Sequence, residues 1–375
     1  MKARLLSAAA LVAASTTAAA GGAGEAPTNA ELYEIIQAQQ SQIEDLQGQP
    51  TGGFGNRTSI GGYGELHYNN IKDGDDEIDF HRFVLFINHE FNDRIRLFTE
   101  LELEHALAGD GAEGEVELEQ AYIEFDLNDK LQAKGGLFLV PVGILNETHE
   151  PPTFYGVERN NVESRIIPST WWEAGAALNG RNDDGLSWDV ALHSGLELEA
   201  TDSSIRSGRQ KVAEAIGNDP AVTGRLRYTG VAGLDLAATV QYQSDITQSR
   251  ETEEASATLL QAHAIYQTGG TKLTAFYATW DIDNAAFETE GSDEQTGYYL
   301  EASQKVSEQV GVFVRHENWD NRAGNATDTE NDQQTLGVNY WPHENVVIKA
   351  DIFNREETGG TTETEGFNLG IGYQF

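Results

Sequence analysis

From Thr58 to its end, the chain repeats one pattern: apolar residues at every second position, in stretches of roughly 9 to 15 residues separated by turn residues. The last stretch is the clearest. Phe367, Leu369, Ile371, Tyr373 and Phe375 fall on one face of an extended chain, and Asn368, Gly370, Gly372 and Gln374 on the other. Period two predicts a strand with one apolar face. The same reading applies to Phe83, Leu85 and Ile87, to Ala121, Ile123, Phe125 and Leu127, and to Leu186, Trp188, Val190 and Leu192. It applies again to Leu234, Leu236 and Val240, to Leu273, Ala275 and Tyr277, and to Leu336, Val338 and Tyr340. About 16 strands can be counted, an even number, as single-chain bacterial barrels require.

The connections sort by length. Short ones carry hairpin residues: Asn92-Asp93, Asn128 to Lys130, Asn182 to Gly185, Gly230 to Ala232, Gly269-Gly270, Ser307-Glu308 and Pro342 to Glu344. Between them lie longer connections near 70–76, 108–114, 140–170, 196–220, 245–255, 284–294, 321–332 and 356–364. Short turns at one end and long loops at the other are the rule for outer-membrane barrels, and a soluble sandwich has no reason to follow it. The expected fold is all-β: a transmembrane antiparallel barrel over residues 58–375.

If the apolar positions face lipid, their neighbours face the lumen. Those neighbours are charged: Arg82; Arg96, Glu100, Glu102 and Glu104; Glu124 and Asp126; Lys134; Asp189; Arg225; Arg315 and Glu317; Lys349 and Asp351. A dry core could not hold so many charges, whereas a water-filled lumen can. The longest connection, Val140 to Trp171, is the third outer loop. Pro141, Pro151, Pro152 and Pro168 stiffen it, and Leu145, Phe154, Ile166 and Ile167 give it apolar anchors. By analogy with general porins, whose third outer loop folds inward and narrows the pore, this loop is expected to do the same. The candidate constriction residues are therefore Glu147, Glu150, Tyr155, Glu158, Arg159 and Arg165 on the loop, with Arg82, Arg96 and Lys134 on nearby strands.

The N-terminus agrees with an exported protein. Lys2 and Arg4, the apolar run Leu5 to Ala14 and the small residues Ala18-Ala19-Ala20 predict a signal peptide over 1–20, cleaved near Ala20. Residues 21–57 are expected to form a periplasmic segment. Within it Leu32, Ile36, Gln39, Ile43 and Leu46 step by four and three, which predicts a short coiled-coil-like helix over 31–47. So short a helix needs partners, such as two further copies of the chain.

Composition narrows the class. Mean hydropathy is -0.46, and no apolar run after the signal is long enough for a spanning helix. There is no cysteine, hence no disulfide and no thiolate metal site. The 61 acidic against 24 basic residues give a formal charge of -37, which removal of Lys2 and Arg4 takes to -39. Nucleic acid is excluded as a partner. Acidic clusters at Asp73, Asp75 and Asp76, at Glu251, Glu253 and Glu254, and at Asp328, Glu330 and Asp332 are expected to draw cations to the outer rim at low salt.

No enzyme signature is found. Gly-x-Ser-x-Gly and His-Glu-x-x-His are absent, and Ser194 and His193, as neighbours in an extended chain, point to opposite faces. Glu102 and Glu104 share a face that His105 does not, so no metal centre is assigned there, and no cofactor is expected.

The segments Gly61-Gly62-Tyr63-Gly64-Glu65-Leu66-His67-Tyr68, Asp79-Phe80-His81-Arg82-Phe83, Glu117-Leu118-Glu119-Gln120-Ala121-Tyr122 and Gly136-Leu137-Phe138-Leu139-Val140-Pro141-Val142-Gly143 carry a resemblance. Together they are similar to the phosphate-selective porin O and P family. The resemblance is clearest from about 60 to 180. It implies a trimeric 16-stranded channel for phosphate or other anions. The chain departs from the family in charge, since acids outnumber bases, and no phosphate site is transferred. The expected function is passive diffusion of small hydrophilic solutes or ions across the outer membrane. Expected partners are lipid, lipopolysaccharide, two further copies of the chain, and the barrel-assembly machinery through Phe375. The competing reading is a structural barrel joined to the cell wall through the N-terminal helix.

Overall fold

The computed structural model describes residues 57–109, 111–202, 204–357 and 362–375. The signal peptide, the 21–57 segment up to residue 56 and the helix expected over 31–47 lie outside the described residues.

Sixteen strands close into one barrel. They are β1 (Thr58–Ile71), β2 (Asp76–Asn92), β3 (Ile95–Glu104), β4 (Val116–Asn128), β5 (Leu131–Leu139), β6 (Trp172–Arg181), β7 (Leu186–His193) and β8 (Ala221–Tyr228). Then follow β9 (Leu234–Gln243), β10 (Ser256–Thr268), β11 (Thr271–Asp283), β12 (Glu294–Lys305), β13 (Val310–Asp320), β14 (Asn331–His343), β15 (Val346–Glu357) and β16 (Thr362–Gln374). Every neighbour is antiparallel and consecutive in the chain, and β16 returns to β1 with Tyr63 opposite Gln374. The seam is locked at its edge, where Gly62 and Phe375 exchange backbone hydrogen bonds of 2.9 and 2.8 Å. Closure leaves no strand edge unpaired, the condition for crossing hydrocarbon with strands.

Alternation sets the two faces as expected. Leu192, Leu226, Leu260, Leu300 and Ile352 are exposed on the outside. Their neighbours turn inward and are buried, among them Glu100, Thr223, Gln241, Arg315 and Asp351. Exposed tyrosines mark both ends of the apolar band: Tyr242 and Tyr298 near the long loops, and Tyr266 and Tyr340 near the short turns. The turns run 93–94, 129–130, 182–185, 229–233, 269–270, 306–309 and 344–345, and the long connections alternate with them.

The inside is not charged all the way round. On β10 to β13 the inward residues include Leu259, Phe276, Ala278, Trp280, Tyr299 and Trp319, all buried and mostly toward the long-loop end. They form one cluster with Val162, Ile166, Ile167 and Trp171 of the loop 140–171, and with Leu196, Leu198 and Ile205 of the loop 194–220. The hydrophobic core of this barrel therefore sits inside its lumen, between one wall and two inturned loops. This departs from the sequence reading, which gave those strands only one apolar face.

Candidate functional site

The loop 140–171 crosses the lumen because its own polar groups and the wall's inward side chains are matched. Its neck is closed by Asn146, whose amide donates to Val140 O (2.8 Å) and Trp171 O (3.0 Å), while Trp171 N–H donates to Asn146 Oδ1 (2.6 Å). Glu163, fully buried in the short helix α1 (Val162–Arg165), ties the two limbs together. Its carboxylate accepts from Ile144 N–H (2.6 Å), Leu145 N–H (2.7 Å) and the Tyr299 hydroxyl of β12 (2.8 Å). Burial pushes the Glu163 carboxyl up even with these donors. The far wall holds the loop by its backbone. Asn339 donates to Phe154 O (3.0 Å), Asp351 accepts from Val157 N–H (2.7 Å), and Glu317 accepts from Asn161 N–H (2.5 Å). Trp280 Nε1–H reaches Ile166 O (2.9 Å).

Inward glycines make room for this course. A Cβ on Gly372 would collide with the Pro151 ring, and one on Gly311 with the Tyr155 hydroxyl. Val157 lies against Gly370 in the same way. The loop approaches β13 and β16 closely because these positions have no side chain.

What remains open beside the loop is a chamber of about 620 Å³. Five arginines line it, Arg82, Arg159, Arg165, Arg206 and Arg355, against two carboxylates, Glu65 and Glu158. The carboxylates are already engaged. Glu65 pairs with Arg82 at 2.9 Å, and His67 lies 3.1 Å from Glu65 and 2.9 Å from Glu158. Arg355 pairs with Glu357 at 2.7 Å. Among the described residues, Arg159, Arg165 and Arg206 have no carboxylate within ion-pair distance. Each is pushed down in pKa: Arg159 by burial and then Arg82, Arg165 by burial and then Arg355, Arg206 by burial and then Arg209 and Arg159. Guanidinium does not release its proton in proteins, so these three charges stay in place, partly desolvated and without a carboxylate beside them. The Glu158 side chain stays 45% accessible because the chamber is wide enough for water. Burial raises its pKa, but the His67 hydrogen bond outweighs this and the carboxyl falls to about 2.

Of the sequence candidates, Arg82, Glu158, Arg159 and Arg165 meet in this chamber. The others are elsewhere. Glu147 pairs with Arg225 of β8. Glu150 precedes the turn Pro151–Thr153 and accepts from it through its carbonyl. Tyr155 is wedged between Phe313 and Trp341, with ring centroids 5.6 and 5.5 Å away. Arg96 is neutralised near the short-turn end by Glu124 (2.6 Å) and Asp126 (2.7 Å). Lys134 sits over the rings of Tyr122 and Phe138 at 5.3 and 4.8 Å. The sequence reading missed Arg206, on the 194–220 loop. The signal was there: Arg206, Arg209 and Lys211 form a basic run in a strongly acidic chain. His67 and Arg355 had no local signal.

No protein-family model matches the sequence. An uncharacterized protein of Aquifex aeolicus (strain VF5) is 30% identical over 350 residues, covering 84% of this chain and 80% of that protein. Among solved structures, an anion-selective porin from Comamonas acidovorans superposes with a TM-score of 0.62 at 12% identity, over 85% of this chain and 99% of that one. The outer-membrane channel DcaP of Acinetobacter baumannii gives 0.59 at 12% identity, over 85% and 97%. Salmonella typhi OmpF, solved with daunomycin, gives 0.58 at 15% identity, over 85% and 97%. At these identities the likeness is one of fold.

Proposed function

The chain belongs to the same family as the Aquifex aeolicus protein and has the barrel of the porins, and on that premise we propose that it is an outer-membrane porin passing small hydrophilic anions by diffusion. The observation that carries the anion preference is the set of three unpaired arginines, Arg159, Arg165 and Arg206, around an otherwise neutralised chamber. Positive charge held in a narrow, partly desolvated passage attracts anions far more strongly than the same charge in bulk water. Planar guanidinium forks suit phosphate and carboxylate, which supports the resemblance to the phosphate-selective porins. The anion-selective porin of Comamonas acidovorans has the same barrel. In this reading the protein is not an enzyme; its signal peptide is removed, it trimerises, it sits among lipid and lipopolysaccharide, and Phe375 is the mark read by the assembly machinery.

Planar-bilayer recording tests it. The purified protein should give stepwise conductance, and in a potassium chloride gradient the reversal potential should carry the sign of chloride permeation. Cation preference at high salt would sink the anion reading, and a folded barrel that never conducts would sink the channel reading.

A further inference from the structure

Beneath the loop, on the inner wall, three side chains converge that the chamber does not use. Glu100 of β3, Glu119 of β4 and His149 of the loop are each at least nine-tenths buried, and one ligand atom from each lies within 4.8 Å of the others. A β-bulge brings them together. Glu100 pairs with Gln120 and Leu101 with Leu118, so Glu119 is the extra residue of β4 and turns into the lumen beside Glu100.

The orientation of His149 is informative. Its Nδ1 lies 3.3 Å from Asn146 O. A carbonyl can only accept, so Nδ1 carries a proton and Nε2 faces the two carboxylates. An imidazole with one nitrogen tied to a backbone carbonyl is the usual posture of a metal ligand. Nε2 stands 3.4 Å from Glu100 and 3.6 Å from Glu119, and neither Nε2 nor Glu119 Oε2 has a hydrogen-bond partner. A charge-assisted hydrogen bond would be about 2.7–2.9 Å. A tetrahedral ion with bonds of about 2.0–2.1 Å separates its ligands by about 3.3–3.4 Å. Gln120 donates to the far oxygen of Glu100, Oε2 (2.7 Å), and the Tyr63 hydroxyl lies 3.3 Å from Oε1, the oxygen that faces His149. By contrast, in the half-buried trio Asp79, His81 and His105 both histidine Nδ1 atoms are satisfied by Asp79, at 3.0 and 2.9 Å.

We propose that Glu100, Glu119 and His149 bind one divalent cation of the zinc class, which staples the loop to the barrel wall. One imidazole and two carboxylates suit zinc and leave a fourth position for water. The site stands independently of whether the barrel conducts.

The test uses the full protein in detergent, stripped with chelator, re-equilibrated with zinc and desalted, with metal counted per chain. One zinc per chain is expected. His149→Gln and Glu119→Gln should each lower retention at least about tenfold, and His105→Gln should not. Zinc K-edge absorption on the unaltered protein should show one imidazole in an oxygen-rich shell, which decides the matter even if the variants fail to fold. Substoichiometric zinc, zinc kept by folded His149→Gln, or a shell with two imidazoles would each overturn the assignment.

Discussion

The outer rim and the chamber beneath it carry opposite signs. The rim displays Asp73, Asp75, Asp76, Glu251, Glu253, Glu254, Asp328 and Glu330, all exposed to bulk solvent. The chamber displays five arginines and two carboxylates. The formal charge of -37 describes the first region and says nothing of the second. Rim charges act across solvent and are screened beyond a Debye length, about 8 Å at physiological salt. Chamber charges act on an ion a few ångströms away, inside a protein wall. In the proposed channel, selectivity follows the unpaired charges nearest the path, not the total.

The largest effect should come from removing those charges. At roughly 6 Å in water each guanidinium is worth about 0.7 kcal/mol to a passing monovalent anion, so two are worth about tenfold in permeability ratio. The double variant Arg159→Ala, Arg206→Ala should therefore shift the anion-to-cation ratio by about that factor in reversal-potential measurements. An unchanged ratio would show that the chamber is off the path. Next is displacement of the loop. Gly372→Leu puts a side chain where Pro151 lies, an overpacking that costs about 1–3 kcal/mol. Single-channel conductance should rise and anion preference fall together; a narrower pore would mean that the loop does not form the constriction.

Acid should act later than for an ordinary carboxylate. Glu158 is lowered from 4.5 to about 2, so its hold on the wall is fully present above pH 4.5 and is lost as pH falls through about 2. Conductance should stay level down to about pH 4.5 and become noisier below it. Glu158→Gln should remove the transition, and a transition centred at or above pH 4.5 would contradict the shift. The smallest effect should come from the rim. Neutralising Asp328, Glu330 and Asp332 should raise anion preference slightly at 0.01 M salt, where the Debye length is about 30 Å, and not at all at 1 M, where it is about 3 Å. Persistence at high salt would mean that rim acids reach the path.

Strands, facing and loop boundaries were legible because each depends on period two and on turn residues, both local. The inturned loop was bounded at Val140 and Trp171 from its prolines and apolar anchors. The sign of the chamber was not legible. Its arginines come from β2, two positions in one loop, a second loop and β15, and a linear list cannot show which are cancelled. Arg96, Arg225 and Arg315 look as available as Arg159 until Glu124, Asp189 and Glu317 are seen beside them. The bulge that turns Glu119 inward was hidden too, since a one-residue slip leaves the apolar spacing of β4 nearly intact. Phe276 and Trp280 were readable as strand residues, but their partners lie far along the chain in the two loops.

The bare inner lane of β16 gives this barrel a sense of its own completion. Pro151 and Val157 rest on Gly372 and Gly370, which belong to β16 at the seam with β1. Until β16 docks, the loop has nothing there to lie on. The seam strand thus adds the last seat to a loop that Trp280, Glu317, Asn339 and Asp351 already hold. The chain has no native cysteine, so the pair Val157→Cys, Gly370→Cys would make a clean clock: it should crosslink in sealed barrels and not in assembly intermediates, and crosslinking before closure would refute the order.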